Sequence, residues 1–128
     1  MIKYNSPKEI FEYFYPKLRG LDKEQLYALY LNTKGNLIKE QLITQGTISS
    51  SLFDAKDIFK WGLKYSATSI ILIHNHPSGD PTPSVADLKS TASFIAQAKL
   101  LEFNVIDHII IGESFYSMKE NSKVFKVF

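Results

Sequence analysis

The sequence predicts an α/β fold, a mixed β-sheet flanked by helices in an α+β sandwich. Three observations lead there. Helix-like and strand-like segments alternate along the chain. Two pairs of strand-like segments are joined by short turns and look like hairpins, which brings antiparallel pairs into the sheet. The stretch "TSIILIHNH", residues 68–76, is too uniformly apolar to be an edge strand facing water, so it belongs in the middle of the sheet.

The elements follow in order. "SPKEIFEYFYPKL" reads as a helix opened by Ser6, with Pro7 at its first position and Glu9 three residues after the cap. "EQLYALYLN", 24–32, then "TKGN", then "LIKEQLITQG" reads as strand, turn, strand. A helix starts at about Asp54, with Ile58, Phe59, Gly62 and Leu63 on one face. After the central strand, "PSGDPTP" carries three prolines and a glycine in seven residues and has to be irregular. A helix from Ser84 to about Leu101 follows, then strands "NVIDHIIIG" and "SFYSMK". The terminal "FKVF" has the residue types of an exposed edge strand.

Composition narrows the functions. At 128 residues the chain is expected to form one domain over 1–128, with 45% hydrophobic residues to fill a core. The absence of cysteine excludes disulfides, thiolate zinc sites and a cysteine nucleophile. With no apolar run long enough to span a bilayer and no signal-like start, no membrane association is expected and the cytoplasm is the expected location. Of fifteen basic residues Arg19 is the only arginine, so base-specific DNA readout is not expected and nucleic-acid binding should be weak or absent. Lys56, Lys60 and Lys64, spaced by four on the predicted second helix, read as a solvated face.

The informative segment is "IILIHNHPSGDPTPSVAD", residues 70–87. Strand side chains alternate, so His74 and His76 project from the same face and can converge on one ion. Asp87 sits in the first turn of the following helix and offers a carboxylate. Two imidazoles and one carboxylate leave a fourth tetrahedral position for water, the arrangement of catalytic zinc sites. Ser84 and Asp87 taken alone are more simply a capping box. Asp80 reads as a turn residue beside the site, and Asn75 is close to it in sequence. His108 reads as a polar core or sheet-edge residue rather than a ligand, and Asp107 as a hydrogen-bond partner for a zinc histidine. Nucleobase deaminases need a cysteine pair that this chain lacks, and the H-E-x-x-H helix of the zincins is absent.

"HNHPSGDPTPSVAD" resembles the JAMM signature of the JAB/MPN metalloprotease family, H-x-H, seven residues, S-x-x-D. "SGDPTPS" and "DHIIIG" make it similar in particular to the RadC group, whose members carry a DNA-repair label. The resemblance runs from about Glu24 to the C-terminus. It implies a JAB/MPN-type, cytidine-deaminase-like fold holding one zinc ion through His74, His76 and Asp87. It further implies a zinc-activated water attacking a peptide or isopeptide amide of a protein or peptide substrate, with Ser84 donating to the oxyanion. A family glutamate at the start of an upstream strand, the general base, matches Glu24, with Glu40 as the fallback. The alternative is a repair- or recombination-associated protein that binds nucleic acid or a repair partner without proteolysis. Relatives commonly carry "HPRE" or "DPR" where this chain has "DAKD", 54–57, so Lys56 stands in place of their arginine. The helix-hairpin-helix-like N-terminal region of full-length relatives is expected to be missing here.

Overall fold

The computed structural model describes residues 4, 6–46 and 53–127. A five-stranded mixed sheet in the order β2-β1-β3-β4-β5 is flanked by helices on both faces. Helix α1 (Pro7–Leu18) is capped by Ser6, whose side chain accepts from Glu9 N, with Pro7 in the first turn where its missing N–H costs nothing. Strands β1 (Glu24–Leu31) and β2 (Leu37–Gly46) form an antiparallel hairpin. In its turn the Asn32 side chain accepts from Lys34 N and Asn36 N.

Helix α2 (Ala55–Lys64) starts at the cap Asp54. It buries Ile58, Phe59 and Gly62, but Leu63 is 63% exposed and does not belong to the packed face. The Lys56, Lys60 and Lys64 side chains are exposed, and the latter two flank the Trp61 ring.

Strand β3 (Ser69–Asn75) lies between β1, antiparallel, and β4 (Asn104–Ile111), parallel, as its apolar run predicted. Burial on both faces leaves Ile70, Ile71, Leu72 and Ile73 at 0% exposure, each stabilising the fold by about 1.5–3 kcal/mol. Odd and even residues feed two cores. Ile71 and Ile73 meet Ile10, Phe14 and Leu18 of α1. Ile70 and Leu72 meet Ile58 and Phe59 of α2 together with Phe94 and Ala98 of α3 (Val85–Leu100).

The end of the chain departs from the sequence expectation twice. Strand β5 covers only Phe115–Ser117, because Ser117 caps a short helix α4 (Met118–Asn121) with its side chain accepting from Glu120 N. Of "FKVF", expected as an edge strand, residues 125–127 belong to a single helical turn α5 (Val124–Val127), and Phe128 lies outside the described residues. Among the described residues no helix is long and apolar enough to cross a membrane.

Candidate metal centre

The site forms where the apolar pattern of one sheet face stops. Leu26, Ala28 and Tyr30 of β1 and Ile70 and Leu72 of β3 line the α2/α3 face, and period-two alternation continues that face into Glu24, His74 and His76. The register pairs Leu26 with His74, so the start of β1 and the end of β3 arrive side by side. Donor atoms from Glu24, His74 and His76 lie within 4.8 Å of one another. Helix α3 brings its first turn over the same point. Asp87 Oδ2 lies 3.2 Å from His76 Nε2, and Asp87 Oδ1 lies 3.7 Å from His74 Nε2. A cleft of about 370 Å³ opens there, with Leu26, Phe53 and Ala86 as its apolar wall.

Ser84 and Asp87 form the capping box as well as facing the cleft. Asp87 N donates to Ser84 Oγ at 2.9 Å, and Ser84 N donates to Asp87 Oδ2 at 2.8 Å. The two readings of this pair do not compete, since the cap is what fixes the carboxylate toward the rings. Accepting through a lone pair leaves the Ser84 hydroxyl proton available.

Beyond β3, His76 is held by the loop that follows it. Its backbone N–H donates to Ile111 O at 2.9 Å, and its Nδ1 donates to Asp80 O at 2.9 Å. The Asp80 side chain accepts from Thr82 N, the turn role expected of it. This loop presses onto the end of β4 at Gly79, whose φ of +91° suits glycine, and Gly112. A Cβ on Gly112 would overlap the Gly79 carbonyl oxygen, so a side chain there would push the His76 loop off the sheet.

The remaining polar residues divide by face. Asn75 points to the α1 side, away from the imidazoles. Its Oδ1 accepts from Gln25 N at 2.6 Å and its Nδ2 donates to Lys23 O at 3.1 Å, so it grips the peptide groups on both sides of Glu24. Glu40 is engaged with α1, accepting from Tyr13 and Lys17, and takes no part in the site. Asp107 was expected to hydrogen-bond a zinc histidine, and it does not. It lies on the opposite face of β4 and accepts from Ser117 Oγ, Lys119 N and His108 N. His108, 1% exposed, is the residue behind His74: the His74 Nδ1 to His108 Nε2 distance is 2.8 Å, and His108 Nδ1 lies 2.7 Å from Thr91 Oγ1. Thr91 was not singled out in the sequence; its spacing of one helical turn from Asp87 was the available signal.

The electrostatics suit a cation. Burial pushes His74 down to about 4, against the pull of Asp87, and burial drives His108 well below the ordinary histidine value. Burial also opposes charge on His76, but the Asp87 carboxylate, the Asp80 carbonyl and Glu24 outweigh it and raise that ring above its usual value. Burial disfavours the Asp87 carboxylate too, yet His76 and the Ser84 N–H hold it well below the usual carboxylate range. With Nδ1–H of His76 given to Asp80 O, its Nε2 faces both Asp87 and, at 3.0 Å, His74 Nε2. Lone pairs that close repel unless a proton or a cation lies among them. The donors are nitrogen and oxygen without sulfur, a set that fits zinc and other first-row divalent ions.

The chain's residues 4–123 match the family model of the RadC-like JAB domain. The chain belongs to that family. The domain is similar to UPF0758 proteins of Methanosarcina mazei (41% identical over 123 residues), Methanococcoides burtonii (42% over 123) and Bacillus cereus (39% over 120). These alignments cover 95%, 95% and 93% of the chain but only 54%, 54% and 53% of the relatives. The chain thus spans about half the length of the curated relatives it matches. The mixed sheet with helices on both faces is the JAB/MPN arrangement that the sequence predicted.

Proposed function

We propose that this RadC-like JAB domain is a zinc-dependent metallopeptidase-type hydrolase that cleaves a peptide or isopeptide amide. The observation that carries the reading is the convergence of His74 Nε2, His76 Nε2 and the Asp87 carboxylate, 3.0–3.7 Å apart, at the mouth of a half-apolar cleft. His74, His76 and Asp87 would hold the ion, since the Asp87 carboxylate lies 3.2 Å from His76 Nε2 and 3.7 Å from His74 Nε2, while Glu24 Oε1 is 4.0 Å from His74 Nε2. A zinc ion held there supplies an electrophile and a water whose pKa falls to about 7.

The residues of the chain do the rest. Glu24 takes a proton from the attacking water and returns it to the leaving nitrogen. Ser84, fixed at the head of α3, donates its hydroxyl proton to the carbonyl oxygen as negative charge develops. Leu26, Phe53 and Ala86 shield one side of the cleft from bulk water and so strengthen these interactions.

Protein purified without added metal should contain close to one zinc per chain, and His74→Ala should contain none. Glu24→Gln should keep its zinc and lose cleavage of a peptide or isopeptide. Full cleavage by zinc-loaded Glu24→Gln would remove that residue from the role of proton carrier. A nucleic-acid-binding role draws on the mild net charge of +2 and the RadC relationship, and it requires DNA affinity that falls steeply with salt.

A further inference from the structure

His108 is buried behind His74, and the proposed reaction makes no use of it. What it does follows from the direction of the hydrogen bonds that join it to helix α3. The backbone oxygen of Asp87 can only accept, so it takes the Thr91 hydroxyl proton at 2.8 Å. A hydroxyl has one proton to give. The Thr91 oxygen must therefore accept from His108 Nδ1–H, 2.7 Å away. The His108 ring is 1% exposed and packs edge-on against Phe53, where a charge is costly, so it is neutral and its Nε2 bears a lone pair. That lone pair accepts from His74 Nδ1–H at 2.8 Å. His74 is left with its own Nε2 lone pair aimed at His76 and Asp87.

We propose that His108 and Thr91 are positioning residues that lock His74 into the Nδ1–H tautomer and thereby set the affinity of the site for a divalent cation. The inference rests on reading the site as a metal centre. The backbone oxygen of Asp80 does the same for His76, as any main-chain carbonyl could. For His74 the acceptor is a side chain, and the row of bonds ends on the carbonyl of Asp87 itself. The residue that offers a carboxylate from its side chain thus orients the facing imidazole through its main chain, which ties β3 to α3.

The test measures zinc affinity by competition with a chromophoric chelator, without substrate. His108→Leu should bind zinc 10–100-fold more weakly than wild type. Thr91→Val, which keeps shape and loses the hydroxyl, should weaken it several-fold. His108→Gln, whose amide oxygen can stand where Nε2 stood, should recover much of the loss. In metal-free wild-type protein, nitrogen-15 correlation of the histidine rings should show His74 protonated on Nδ1. Wild-type affinity in folded His108→Leu and Thr91→Val, or His74 protonated on Nε2 in the metal-free protein, would overturn the inference. Should His108→Leu fail to fold, Thr91→Val and the ring spectra still decide it. Wild-type protein that binds no zinc would sink the metal reading instead, and the tautomer measurement would still stand or fall by itself.

Discussion

Asp107 and His108 are neighbours on β4, both buried, and they sit in polar clusters of opposite character on the two sides of the sheet. The Asp107 cluster is closed. Its carboxylate accepts from Ser117 Oγ at 2.6 Å, His108 N at 2.7 Å and Lys119 N at 3.0 Å, and its donors and acceptors satisfy one another. The His108 cluster is open. Its protons are donated in one direction, from His74 through His108 and Thr91 to the Asp87 carbonyl oxygen, which leaves the His74 Nε2 lone pair facing another imidazole and a carboxylate. A closed network anchors a turn of chain. An open one leaves a nitrogen lone pair facing the cleft, where a proton or a cation can join it to the neighbouring imidazole and carboxylate.

Perturbing each cluster should separate these roles, beginning with the strongest effect. Zinc at a hundred times its dissociation constant should stabilise wild type by about 2.7 kcal/mol, reversed by chelator, with no such gain in His74→Ala. Thermal melts with and without zinc read this directly. Asp107→Ala should cost about 3 kcal/mol by stranding buried donors, while zinc bound per folded chain stays unchanged. A loss of zinc there would mean that the two faces are not independent. Asn75→Ala should cost about 1–2 kcal/mol and release the start of β1, seen as faster hydrogen exchange at the Gln25 amide with the β3 core unaffected. Ser84→Ala should cost about 1 kcal/mol through the cap. Its cleavage rate should fall further than that loss of stability explains, and an unchanged rate would reduce Ser84 to its structural role.

Much of this was legible in the sequence. The apolar run placed β3 centrally, and the H-x-H and S-x-x-D spacings brought out His74, His76, Ser84 and Asp87 because each pair is local to one element. The arrival of Glu24 was harder, since it depends on a register between strands about 50 residues apart. Which of Asp107 and His108 faces His74 could not be read at all. Parity along β4 is reset by the irregularity where Ile70 pairs with Val105 but Ile71 with Asp107, and no periodic pattern in the chain announces that slip. Without it the alternation would have turned the aspartate inward. Leu63 failed for a related reason: the packed face of α2 is narrow, and Gly62, not Leu63, is what lets Phe103 approach closely.

The grip of Asn75 on the peptide groups either side of Glu24 has a dynamic corollary. With its main chain pinned from one flank and paired to Gly46 on the other, this glutamate can travel only by rotating its own torsions. Such swings belong to side-chain rotation, whereas a loop carrying a carboxylate in and out would take nanoseconds to microseconds. The arm is quick because its shoulder is bolted.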